Sequence, residues 1–386
     1  MGKVIAICCD GTWNRRDQQN DTNVVKLHDH ILKGPTRDGP WQEPRYVAGV
    51  GSTVRSQMDH WLGGLFGVGL DDQILEAYGH LVTLYRPGDR IFVFGFSRGA
   101  YCARSLTGLI RNCGILEVEH AGRAREAMAL YRSGREADAP DGENALTFRA
   151  CYAAGTLTSS WEAAWRRNHG FAVPDPEPDR LGVHYLGVWD TVGSLGIPAG
   201  LDVARLVNRR YQFHDTKLST SVGSARHAVA IDEHRRSFLP TLWANICALE
   251  AERPGAYREQ WFPGEHGSVG GGGEVTDLSD AGLRWIAEGA REAGLRLDEA
   301  WFGGLAAAAD PCGLLTCMRA PGRSVARWFL GFHPVDRSGV THAAHVSETA
   351  LTRWRDADPR YRPATLTPLT ADLDRMTWAA PGPAGG

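Results

Sequence analysis

No C-x-x-C pair occurs among the 8 cysteines, which are scattered as Cys8, Cys9, Cys102, Cys113, Cys151, Cys247, Cys312 and Cys317. Such spacing suggests neither a zinc framework nor a disulfide scaffold. Several of these thiols fall in core-like segments, so they are expected to be buried and kept reduced. An excess of one charge is also missing: with a net charge of −3 and 23% charged residues, the chain offers no electrostatic footprint for nucleic acid. A leader-like apolar stretch is lacking too. The opening "MGKVIAICCDG" holds only about six consecutive apolar residues, too few for a signal-peptide core or a bilayer span, and reads as a first strand. Gly2 is not followed by the hydroxyl residue of a myristoylation signal. The expectation is a cytoplasmic chain, with export, if any, independent of a signal peptide. Phosphate-binding fingerprints are absent as well, because "GVG" at Gly49 and Gly67 lacks the full spacing and context.

What is present is enough apolar material for a large core, 43% of 386 residues. No composition shift or linker divides the chain, and a single domain over residues 1–386 is expected. Strand-like runs ending in turn residues recur at "KVIAICCDGT", "RYVAGVG", "RIFVFGFS", "GVHYLGVWDT", "RHAVAIDE" and "REQWFPGEH". Helical patterns such as "LDDQILEAYGHLVTLY", "HAGRAREAMALYRSG" and "LSDAGLRWIAEGAREAGL" lie between most of them. This alternation predicts an α/β fold with a doubly wound, mostly parallel sheet, whose ligand site lies at the carboxyl ends of the strands.

At one of those ends the apolar run Ile91–Phe94 stops at Gly95-Phe96-Ser97-Arg98-Gly99, and a helical pattern of Ala100, Ala103, Leu106 and Ile110 begins at once. A strand-to-helix turn this sharp needs small residues on both sides of its apex, and Gly95 and Gly99 supply them. The G-x-S-x-G pattern in this context lifts a hydroxyl clear of the sheet, near the first amides of a helix. Ser97 is therefore a candidate nucleophile.

The other strand ends carry Asp10, Gly11 and Thr12, then Asp190, Asp232 and His266. A serine nucleophile needs a base, an acid to orient the base, and amide donors for the oxyanion. His266 stands among glycines that let its backbone approach a site, so it is the candidate base, on a loop. His184 and His227 fall within strands and His234 in a charged run. Asp190 and Asp232 compete for the acid role. Asp190 is favoured by the small-residue turn after it, whereas Asp232 has Arg235 and Arg236 close by and suits a salt-bridged helix start. The amides of Arg98 and of Gly11 and Thr12 are the candidate oxyanion donors. No helical H-x-x-x-H pair supports a metal, and no cofactor is called for.

The stretches "DGTWN" (10–14), "YRPGDRIFVFGFSRGAYCARSLTGLI" (85–110), "GVWDTVGSLG" (187–196), "DEHRRSFLPTLW" (232–243) and "WFPGEHGSVGGG" (261–272) together resemble the uncharacterised α/β-hydrolase family that includes the catalytic domains of type VI secretion phospholipase effectors. The resemblance implies Ser97 as nucleophile, Asp190 as acid and His266 as base, with the "DGT" loop near the oxyanion. One departure stands out. The family usually has Ser-Asp-Val-Gly-Gly after the histidine, whereas Gly267 and Ser268 precede Val269 here, so an acid two residues beyond the base is missing.

A phosphatase of the haloacid-dehalogenase type would need its nucleophilic Asp where Cys8 stands. The expected activity is therefore ester hydrolysis, with a lipid or phospholipid acyl ester as the implied substrate and transient contact with a membrane surface. A soluble carboxylesterase of small esters and a non-catalytic binding module are the alternatives. The long insertion at 117–180 is expected to cap the site. The apolar "WLGGLFGVGL" (61–70) reads as the entry to a buried helix, with an acyl pocket or bilayer contact as its functional alternatives.

Overall fold

The computed structural model describes residues 2–12, 14–16, 18–36, 39–50, 66–192, 217–315 and 335–378. Its seven strands are β1 (Val4–Cys9), β2 (Gly34–Thr36), β3 (Gly39–Val47), β4 (Arg90–Phe96), β5 (Val183–Trp189), β6 (Val222–Ala230) and β7 (Tyr257–Phe262). They form one sheet in the order β2-β3-β1-β4-β5-β6-β7. All neighbours are parallel except β2 and β3. All six strands read from the sequence are present. β3 starts earlier than expected because the prolines that broke the pattern, Pro40 and Pro44, are accommodated near the sheet edge. β2, only three residues long, carries no alternation to read.

β1 and its neighbours are apolar on both faces because both faces are covered. Val4, Ala6 and Cys8 point with Phe92, Phe94 and Tyr185 into a core shared with the helices Asn23–His30 and Asp277–Glu292. Ile5, Ile7 and Cys9 point the other way, with Ile91, Val93 and Val188, against the helices Phe66–Leu84 and Arg98–Cys113. This period of two, doubled by helices on each side, is the doubly wound, α/β-hydrolase-like arrangement. A third core, not foreseen, forms where Val229, Ile231 and Trp261 meet Val346, Trp354, Leu366 and Leu373 from the C-terminal segment. There Ser347 donates its amide to Trp261 O (3.0 Å), so the segment covers the exposed edge of β7.

The insertion at 117–180 joins the core beside the far end of the helix Arg98–Cys113. Ala127, Met128 and Phe148 pack into that cluster, and Arg149 donates to Asn112 O at 2.7 Å. Toward the other end, Arg132 bonds Tyr101 Oη (2.8 Å) and Asp71 (2.7 Å), and Arg125 meets Asp72 (3.3 Å). Of the apolar stretch 61–70, residues 61–65 lie outside the described residues, while Leu70 is buried within the helix Phe66–Leu84. The cysteines divide: Cys8, Cys9, Cys102 and Cys113 are buried as expected, but Cys151, Cys247 and Cys312 are exposed. Cys151 and Cys247 lie on helices whose partners cover only one side, which the local apolar pattern did not reveal.

The turn between β4 and the helix Arg98–Cys113 brings backbone hard against backbone. A Cβ on Gly99 would stand 2.2 Å from Cys9 O and 2.5 Å from Asp10 O, and one on Gly95 2.3 Å from Gly99 O. Backbone cannot yield as a flexible side chain can, so overpacking here costs at least the usual ~1–3 kcal/mol. Gly99→Ala should accordingly lower the thermal unfolding midpoint by several degrees; an unchanged midpoint would show that the helix can back away from β1.

Candidate active site

Among the described residues, the two non-glycine residues with positive φ are Ser97 (59°) and Asp190 (39°). Such conformations cost about 1–3 kcal/mol each and persist where the surroundings over-determine them. Ser97, with ψ −119°, caps the helix Arg98–Cys113 and is pinned by its amide to Trp189 O at 3.1 Å, so the ends of β4 and β5 are tied together. Asp190 follows β5 directly and donates its amide to Ala228 O at 2.7 Å. Both departures sit on side chains that sequence chemistry singles out.

His266 Nδ1 lies 2.6 Å from Asp190 Oδ2. An ionised carboxylate only accepts, so Nδ1 carries the proton and Nε2 is left as the basic nitrogen. The imidazole is held between two rings, Phe96 at 4.6 Å and Phe238 at 4.8 Å between centroids. Because Phe96 immediately precedes Ser97, this contact brings the imidazole beside the elbow. His266 opens the short helix His266–Gly270 rather than lying on a loop. That helix presses so closely on Phe96 that a Cβ on Gly270 would stand 1.9 Å from the ring.

Asp190 is wholly buried, which by itself would push its carboxyl up; the Arg337 guanidinium and His266 hold it well below the usual carboxylate range instead. Arg337 donates from Nη1 to Oδ1 (2.6 Å) and from Nη2 to Oδ2 (2.9 Å), and Ala230 N–H donates to Oδ1 at 2.9 Å.

Asp232, the competing acid, does not pair with His266. Its Oδ2 accepts from Gly264 N–H (2.6 Å) and Tyr361 Oη (2.8 Å), which braces the turn before His266, where Gly264 has φ 104°. Burial raises its pKa. The nearby Arg235 bridges Glu233 rather than Asp232 and stacks on Phe238, 3.7 Å from its centroid. Glu233 in turn accepts from His266 N–H at 3.4 Å.

The oxyanion candidates separate in the same way. Arg98 opens the elbow helix next to Ser97, where burial lowers its guanidinium to about 10. The "DGT" loop lies against the elbow, since a Cβ on Gly11 would be 3.1 Å from Ser97 Cβ. Gly11 is corrected as a donor: its amide is already given to Asp10 Oδ1 at 2.7 Å. Thr12 remains as the candidate from this loop, its Oγ1 buried without a partner. Asp10 also accepts from Thr22 Oγ1 and Tyr46 Oη, each at 2.8 Å. Its complete burial raises its pKa to about 6 despite these donors. His227 and His184, which fall within strands, are used by the sheet. His227 meets Glu259 at 2.9 Å and accepts Thr191 N–H, while His184 accepts Ile91 N–H.

Phe96, Phe238, Glu233 and Arg337 were not singled out from sequence. The first three lie within stretches already read as strand or charged turn, where nothing local marks a ring or carboxylate that will face an imidazole. Arg337 lies in no motif.

Sheet order, the strand-to-helix elbow and the helices on both faces place the chain among α/β-hydrolase-like proteins. Residues 3–289 match the model of the family described as T6SS, phospholipase effector Tle1-like, catalytic domain, and the chain belongs to that family. An uncharacterised protein of Saccharomyces cerevisiae is 30% identical over 249 residues, which cover 61% of this chain and 32% of the yeast protein. The chain therefore spans about a third of the length of that relative. A crystal structure of an uncharacterised protein from Pseudomonas aeruginosa is similar at TM-score 0.46 and 18% identity, over 80% of this chain and 48% of that one. The Tle1 effector bound to the VgrG spike is similar at TM-score 0.35 and 17% identity, over 70% and 51%. At these scores neither likeness adds to the family assignment.

Two substitutions distinguish the carboxylates. Asp190→Asn, which presents the wrong tautomer to His266, should lower ester turnover by about 10⁴-fold with the fold retained. Asp232→Asn keeps an oxygen for Gly264 and Tyr361 and should stay within about tenfold of the parent; the reverse ranking would move the acid role to Asp232. Asp10 has a pH signature of its own. Because its folded pKa is raised from 3.8 to about 6, its contribution to stability is fully present below the lower value and is lost as pH rises through the upper one. Asp10→Asn should remove that decline from urea unfolding curves measured across the window, and parallel curves would place the raised pKa elsewhere.

Proposed function

We propose that the chain is a serine hydrolase of carboxylic esters, acting on lipid or phospholipid acyl esters, with Ser97 as nucleophile, His266 as base and Asp190 as the acid that orients it. The observation that carries the reading is the 2.6 Å bond from His266 to a wholly buried, ionised Asp190 beside the Ser97 elbow. Nε2 of His266 takes the hydroxyl proton as Ser97 Oγ attacks the ester carbonyl carbon. The oxyanion that develops is met by the Arg98 amide, aided by the positive end of its helix, and by the Thr12 loop. His266 then returns the proton to the departing alcohol oxygen as the acyl C–O bond breaks. Water, deprotonated by the same nitrogen, releases the acid from Ser97.

Family membership supports a lipid acyl ester as substrate. Among the described residues no helix is long and apolar enough to cross a membrane. The insertion at 117–180 enters the proposal as a support for the elbow helix. Its influence on substrate choice would pass through Arg132 and Tyr101, whose amide donates to Ser97 O at 3.3 Å.

Ser97→Ala should abolish hydrolysis of a short activated ester, and retained activity would dismiss the nucleophile. The same preparation, given short soluble esters, micellar long-chain esters and phospholipid vesicles, should turn over the vesicles and gain activity at the lipid interface. Activity confined to short esters would replace the lipase reading with that of a soluble carboxylesterase.

A further inference from the structure

We propose that Arg337, which lies beyond the span matched to the family's catalytic domain, is a positioning residue of the site: its guanidinium fixes Asp190 as an ionised, two-oxygen acceptor and so sets the basicity of His266. The inference rests on the Ser97, His266 and Asp190 reading and deepens it.

A carboxylate with no exposure to water is unstable as an anion unless a charge and several donors compensate it. If it took up a proton, Asp190 could neither accept from Nδ1 with full strength nor stabilise the imidazolium formed during turnover. Arg337 prevents this with a fork–fork pair, one nitrogen to each oxygen. The guanidinium is itself wholly buried and oriented by two more bonds, Nη1 to Ala230 O (2.8 Å) and Nη2 to Phe238 O (2.5 Å). These partners are part of the site's own frame. Ala230 ends β6 and gives its amide to Asp190, and Phe238 meets the His266 ring edge to face. One planar cation thus sets the rotamer of Asp190, the end of β6 and the position of the ring beside the base.

What holds Arg337 there is the packing of the C-terminal segment. Val335 N–H bonds His234 O (2.8 Å), and Val340, Val346 and Trp354 anchor the following residues in the third core. A lysine restores the charge but not the two parallel bonds.

Among the described residues, the charged groups beside the Asp190–His266 pair are Arg337, Arg235 and Glu233, with Glu265 next to Arg235. The last three remain in an Arg337 variant and act equally on both profiles. Loss of Arg337 moves the pair in one direction by two routes. It allows Asp190 to protonate at higher pH, and it removes a cation that opposes the imidazolium on His266. Both displace the acid limb of kcat/KM upward.

The test uses the full chain carrying Arg337→Met and Arg337→Lys. For a short-chain nitrophenyl ester, Arg337→Met should lower kcat/KM at neutral pH by tenfold or more, roughly, and move the acid limb up by about 1–3 pH units, as loss of an adjacent opposite charge does. Arg337→Lys should return the limb toward that of the parent while recovering only part of the rate. Histidine NMR titration of His266 in parent and Arg337→Lys provides a reading that needs neither turnover nor the methionine variant to fold, and the variant's value should lie above the parent's. An unchanged limb and an unchanged His266 titration, with rate loss tracking the folded fraction, would reduce Arg337 to a structural residue. Should Ser97→Ala prove as active as the parent, the hydrolase reading fails, yet the His266 titration still decides whether Arg337 governs the pair.

Discussion

The charge on Asp190 is the constraint around which the site is built. A wholly buried carboxylate has to be ionised to hold His266 in the useful tautomer, and burial alone would neutralise it. Charge and hydrogen bonds converge on it from separate parts of the chain: the guanidinium from the C-terminal segment, an amide from the end of β6, and the imidazole from the turn after β7. Removing any one of these weakens the support for that charge, and with it the orientation of the His266 ring.

The other half of the site is a matter of close approach. The helix carrying Ser97 at its cap meets the end of β1 at a distance that only Gly99 permits, and the backbone of Ser97 is forced to φ 59°. Asp10 then fastens the loop after β1 to the rest of the fold through Thr22 and Tyr46, and keeps it against Ser97. On the far side, Tyr361 of the C-terminal segment reaches Asp232, which braces Gly264 two residues before His266. Residues outside the family's matched span therefore steady both Asp190 and the turn that presents His266.

Much of this was legible in the sequence because it is local. β1 and β4 announce themselves as apolar runs, and the elbow by two glycines around a serine. Asp190 and His266 could be named because each follows a strand. The choice between Asp190 and Asp232 was open, since both follow strands and only side-chain direction separates them. Gly11 looked like an oxyanion donor from its place in the chain, but whether an amide is spent on a neighbouring carboxylate depends on one rotamer of Asp10. Arg337 was invisible for a different reason. It meets Asp190 across 147 positions, in a segment with no motif of its own, and only the packing of Val346, Trp354 and Leu366 brings it there. The expected cap, read from the length and mixed helical and Pro-rich composition of 117–180, makes its described contacts mainly with the far end of the elbow helix, which local pattern cannot foresee.

The central claim is that Ser97 is an activated nucleophile served by His266. Reacting the full chain with a fluorophosphonate and locating the adduct by peptide mass spectrometry addresses it directly. The account predicts a single rapid adduct on Ser97 in the parent and its loss in folded His266→Ala. An adduct elsewhere, or labelling of Ser97 that is as fast without His266, would contradict it.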